Sequence, residues 1–210
     1  MTKRLLLCLS LPIACGAAAV PPRAEAPRYF YYLHGKIVED LGPRGTSPRY
    51  GAYDYPGIVA ALKHRGLAVI SEVRPRGTDV RAYADKVVAD VKAKLAAGVP
   101  PSHITIAGAS KGSVIASLIS TRLRQPRVRY VLIANCNDWL IREIRPRLTG
   151  EVLSIYEASD DIGGSCRPLV RLSPGVTRFA ELRLATGLGH GMVYRPLDQW
   201  LAPAAAWAKR

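Results

Sequence analysis

No stretch of this sequence is both long and uncharged enough to cross a bilayer, a task that takes roughly 20 apolar residues; the apolar segment Leu5–Ala14 falls well short. Histidine is scarce as well. There are four, and neither they nor the cysteines cluster at ligand spacing, so no metal site is expected. Acids are outnumbered, 16 Asp and Glu against 30 Lys and Arg, which leaves a net charge of +14. The cations form no basic run and are scattered among apolar segments, so they describe a basic surface and not an arm for nucleic acid. Repeats and low-complexity segments are also lacking.

What is present is enough to bury a sizeable core. The chain has 210 residues, 49% of them hydrophobic and 22% charged, and at about 150 residues per domain that length favours one domain. Its first residues have a different character. Lys3 and Arg4 precede the apolar Leu5–Ala14, the small residues Gly16-Ala17-Ala18-Ala19 follow, and Pro21-Pro22 end any helix. That is the layout of a secretory signal, with residues 1–19 removed and 20–210 left as a single exported domain, periplasmic or secreted. Cys15 stands where a lipidated cysteine could, although Pro12-Ile13-Ala14 lacks the usual Leu. Cleavage also removes Cys8 and leaves Cys136 and Cys166 in a compartment that permits disulfides. They are expected to pair, two buried free thiols being the alternative.

From Arg28 onward, short apolar runs alternate with stretches of helical period, the pattern of a parallel sheet covered by helices on both faces. Six strands are expected: Tyr29–Leu33, Leu67–Glu72, Ile104–Ala107, Tyr130–Ala134, Val152–Tyr156 and Glu181–Ala185. Helices are expected at Tyr55–Arg65, Asp79–Ala97, Lys111–Arg124 and Leu197–Ala208, the last kinked or shortened by Pro203. Ile37–Tyr53, rich in Gly, Pro, Arg and Ser, reads as a long functional loop.

Gly108-Ala109-Ser110-Lys111-Gly112 matches Gly-x-Ser-x-Gly, and it follows a strand and opens a helix. A serine hydroxyl attacks only when an imidazole takes its proton, and the imidazole must be oriented by a carboxylate. Asp160, beyond the strand ending at Tyr156, and His190, beyond the last strand, supply both in the order Ser, Asp, His. An oxyanion would be held by backbone N–H groups, one from Lys111 and one from Lys36, which follows the His34-Gly35 pair after the first strand. His34 reads as a structural hydrogen-bonding residue; His64 and His103 have no assigned role.

With its His-Gly turn, serine elbow, late acid and late histidine, the sequence from Arg28 onward resembles the α/β-hydrolase family. The resemblance implies an α/β-hydrolase fold reduced to a six-stranded sheet without the family's first two strands or a cap domain. It implies Ser110 as nucleophile, His190 as base, and Lys36 and Lys111 as oxyanion donors; it implies Asp160 and not its neighbour Asp161 as orienting acid, because the family pattern places a small pair, here Ala158-Ser159, before the acid and an apolar residue, here Ile162, two after it. The expected activity is hydrolysis of a small-molecule carboxylic ester by a monomer with no cofactor. An acyltransferase or thioesterase would use the same triad, and a non-catalytic binding protein could share the fold. Loops carrying Arg44, Arg49, Arg74 and Arg76 are expected to rim an open site, favouring a short or polar acyl group.

Overall fold

The computed structural model describes residues 26–210, so the segment expected to be a secretory signal, with Cys8 and Cys15, lies outside the described residues. In chain order the elements are β1 (Tyr29–Leu33), α1 (Lys36–Leu41), β2 (Thr46–Ser47), β3 (Gly51–Ala52), α2 (Tyr55–His64), β4 (Ala68–Ile70) and α3 (Val80–Ala96). They continue with β5 (Ile104–Ala109), α4 (Lys111–Leu123), β6 (Arg129–Ile133), β7 (Thr149–Glu157), α5 (Arg167–Arg171), β8 (Gly175–Leu184) and α6 (Asp198–Ala208).

Six strands form one sheet in the order β4-β1-β5-β6-β7-β8, with every pairing parallel. A parallel sheet must be covered on both faces, and alternate side chains of β1 show how. Phe30 and Tyr32 join Ile58 and Leu62 of α2 and Trp200, Leu201 and Trp207 of α6. Tyr31 and Leu33 point the other way, to Val87 and Val91 of α3 and Ile115 and Ile119 of α4. Asp54 and Asp79 start α2 and α3 by accepting hydrogen bonds from first-turn N–H groups.

The structure differs from the sequence reading in five places. The segment expected to be a loop over Ile37–Tyr53 holds α1 and the antiparallel β2–β3 pair. β4 is shorter than expected, and β8 starts six residues before Glu181. Pro203 sits inside α6 without ending it, because Trp200, Leu201, Ala204 and Trp207 bury the helix across that point and outweigh one missing backbone bond. A short α5, not expected at all, follows Cys166.

Candidate active site

In a parallel sheet the loops after the strands converge at the carboxyl edge, and that edge gathers the residues singled out above. β5 ends at Ala109 and α4 begins at Lys111, so Ser110 alone makes the turn, with φ 53° and ψ −118°. For a residue with a side chain this is strained backbone, held here by Ser110 N–H donating to Ile133 O at 2.9 Å. The turn is tight enough that a Cβ on Gly108 would run into the Gly112 carbonyl, and one on Gly112 into the Leu33 carbonyl. The motif's glycines are therefore required by space.

Ser110 Oγ lies 2.9 Å from His190 Nε2, and His190 Nδ1 lies 2.9 Å from Asp160 Oδ2. Asp160 Oδ1 accepts from Ile162 N–H at 2.9 Å, which fixes the carboxylate plane. His190 and Asp160 are both buried on their side chains. Asp161 points elsewhere, to Arg49 Nη2 at 2.8 Å, with both partners exposed. The Arg49 guanidinium holds its carboxyl below the usual range.

Lys111 and Lys36 each begin a helix, so neither N–H has a partner within its helix. The His34-Gly35 turn passes close to the nucleophile: a Cβ built on Gly35 would lie 3.6 Å from Ser110 Cβ. His34 is fully buried. Its Nε2 accepts from Arg74 N–H at 3.0 Å, which puts the ring proton on Nδ1, donating to Gly35 O at 2.8 Å. Burial, reinforced by the Arg74 cation, lowers its pKa to about 4.

Three residues around this centre carry no signal that the sequence reading used. Glu39 on α1 has a fully buried side chain that accepts from Arg74 Nε at 2.7 Å and from Lys111 Nζ at 2.5 Å. It therefore ties the helix that begins at Lys36 to the residue after Ser110. Asn135, after β6, donates from Nδ2 to Ser110 O at 3.1 Å. Glu157, buried at the end of β7, accepts from Thr186 N–H, Thr186 Oγ1 and Gly187 N–H, and so joins the Asp160 turn to the loop that carries His190. Burial raises its pKa, but these donors outweigh burial and leave it below the ordinary carboxylate value. A helical reading of Lys36–Leu41 would have put Glu39 on the face beneath the His-Gly turn; the Gly and Pro around it hide that period.

Cys136 and Cys166 come together with Cα atoms 4.9 Å apart, within the span of a disulfide. Among the described residues no group of three His, Cys, Asp or Glu could hold a metal, and no helix is long and apolar enough to cross a membrane.

Two clefts open beside Ser110. One, of about 190 Å³, is lined by His190, Tyr50, Tyr53, Tyr194, Ile37 and Val193. The other, of about 310 Å³, is lined by Lys111, Val80, Val114, Asn135, Asn137 and Trp139; Lys36 and Ile162 border both. Of the expected arginine rim only Arg49 stands beside a cleft, over the Tyr50 ring at 5.0 Å and paired with Asp161. Arg74 is buried, its Nε donating to Glu39 Oε1 and its Nη2 to His34 O. Arg44 and Arg76 are exposed and line neither cleft.

No protein-family model matches the sequence, and no curated protein matches it. Solved structures do. SOBER1 of Arabidopsis thaliana aligns with a TM-score of 0.58 at 14% identity, over 88% of this chain and 99% of its own. RedJ, a thioesterase from the prodiginine biosynthetic pathway in Streptomyces coelicolor, aligns at 0.54 and 15% identity, over 91% of each chain. A Xanthomonas campestris protein described as a hydrolase of the alpha/beta superfamily aligns at 0.51 and 14% identity, over 86% of this chain and 96% of its own. The chain has the α/β-hydrolase fold.

Proposed function

We propose that this protein is a serine hydrolase that cleaves a carboxylic ester through an acyl-enzyme. The observation that carries the reading is the unbroken chain Ser110 Oγ, His190, Asp160, with 2.9 Å at each link, on a strained turn at the carboxyl edge of the sheet. His190 takes the Ser110 proton as Oγ attacks the carbonyl, and Asp160 holds the ring in the tautomer that leaves Nε2 free to do so. The negative charge that develops on the carbonyl oxygen is met by the N–H groups of Lys36 and Lys111. Glu39 is their positioning residue, since it anchors both segments.

The protein works in an oxidising compartment after loss of its first 19 residues, with Cys136 and Cys166 joined as a disulfide that braces the loop after Asp160. It acts as a monomer on a small molecule, with no cofactor.

The test is hydrolysis of p-nitrophenyl esters by the wild type, Ser110→Ala, His190→Ala and the double variant. Each single change should lower kcat by about 10⁴-fold or more, and the double change should cost little beyond either one, because the two residues form one proton-transfer unit. Additive losses would contradict the assignment.

A further inference from the structure

Resting on that reading, we infer that the two clefts beside Ser110 have different occupants: the cleft under Trp139 receives an apolar acyl chain, and the cleft under His190 receives the leaving alcohol. The assignment follows from where the protons must go. When the Ser110 Oγ to carbonyl carbon bond forms, the Oγ proton passes to His190 Nε2. When the tetrahedral intermediate collapses, the bond to the alkoxy oxygen breaks and that oxygen takes the proton from Nε2, leaving as the alcohol. Water then attacks the acyl carbon, gives a proton to Nε2 and releases the carboxylic acid, and Ser110 regains its proton. The alkoxy group must therefore lie within reach of His190, and the acyl group must extend away from it. His190 lines only the cleft of about 190 Å³. The cleft of about 310 Å³ is lined without His190, by Lys111 and Val114 among others.

The chemistry of this second cleft fixes the class of acyl group. Most of its polar groups already have partners within the protein. Lys36 Nζ is paired with Asp40, and Lys111 Nζ with Glu39 and the Thr78 carbonyl. Asn135 donates to Ser110 O, while Asn137 donates to Ile162 O and accepts from Leu140 N–H. What remains toward a ligand is apolar: Val80, Val114, Trp139, Ile162 and the lysine stems. Trp139 is 52% exposed and Ile162 40%, and they are two of the few large apolar side chains left open among the described residues. An unbranched, uncharged acyl chain lying between them would remove that surface from water. A charged or polar acyl group would meet mainly apolar side chains, with Lys36 Nζ, already paired with Asp40 at the surface, as a charged contact. The other cleft is smaller and bounded by three tyrosines, which suits a compact alcohol.

The experiment uses the full purified protein and two ester series, p-nitrophenyl acetate, butyrate and octanoate, and then ethyl and octyl acetate. The wild type should show kcat/KM at least about tenfold higher for octanoate than for acetate, a modest return on the transfer of each methylene from water. Trp139→Ala should reduce that ratio below about threefold without changing the ethyl to octyl ratio. Trp139 is exposed, so this variant should fold; Val80→Trp, which fills the same cleft, should depress octanoate more than acetate. Tyr50→Ala, in the other cleft, should alter the alcohol ratio and not the acyl ratio. A flat acyl series, or one whose slope follows Tyr50 and not Trp139, would overturn the assignment. If a fluorophosphonate labels Ser110 while the series is flat, the cleft assignment alone falls. If Ser110 does not label, the hydrolase reading and this inference fall together.

Discussion

Asp160 and Asp161 are neighbours in sequence with opposite surroundings. One carboxylate is buried between His190 Nδ1 and Ile162 N–H, and the other is in water beside Arg49. An exposed ion pair contributes little, whereas loss of the orienting acid leaves the imidazole in the wrong tautomer. Asp160→Asn should therefore reduce kcat by about 10³ to 10⁴-fold and Asp161→Asn by less than about threefold, measured on one ester at one pH. Equal losses would reassign the acid. His34 leads to a separate expectation about stability. Its folded pKa of about 4 lies below the ordinary value of 6.5, so the unfolded chain binds the proton first as pH falls. The stabilisation is fully present above about pH 6.5 and is lost as pH falls toward 4. Between pH 7 and pH 5 the loss amounts to about 2 kcal/mol. Urea midpoints at those two pH values should show that slope in the wild type and not in His34→Asn; an equal slope in both would contradict it. At this scale Ser110, Asp160 and His190 were legible because a short motif and chain order point to them. Glu39 and Glu157 were not, since each becomes informative only when distant segments meet its buried carboxylate.

Among the elements, those bounded by strong punctuation were the ones the sequence made plain. α2 and α3 begin at capping aspartates and meet Gly66 and Gly98, and β5 and β6 are mostly apolar and buried along their whole length. The first half of β8 was invisible for the opposite reason. It is an edge strand, and Thr177 and Arg178 face solvent, so neither apolar alternation nor continuous hydrophobicity marks it. α1 and α5, with 6 and 5 residues, are too short to show a period and are held by tertiary contacts through Val38, Glu39 and Leu169. The loops after β6 and β7 carry Cys136 and Cys166, a separation of 30 residues. In the chain-entropy model a bond there is worth roughly 3 to 4 kcal/mol. Protein purified from an oxidising compartment should show no free thiol under denaturing, non-reducing conditions, and reductant should lower its urea midpoint. Two titratable thiols would contradict the pairing.

Across the whole molecule, one consequence of parallel topology organises the site. Five loops, those after β1, β5, β6, β7 and β8, leave the sheet at the same edge, and each brings one component: the His34-Gly35 turn, Ser110, Asn135, Asp160 and His190. Residues as far as 80 positions apart in the chain are thereby placed within one hydrogen bond. The net charge of +14 takes little part in this, since Arg74 is buried against Glu39 and Arg49 is paired with Asp161. A binding protein on the same fold would have no need of an activated serine, and that difference can be measured directly. Treated with a fluorophosphonate probe and analysed by intact mass and peptide mapping, the wild type should gain a single adduct on Ser110. His190→Ala should label far more slowly, and Ser110→Ala not at all. A wild-type protein that stays unlabelled, or carries its adduct on another residue, would contradict the account.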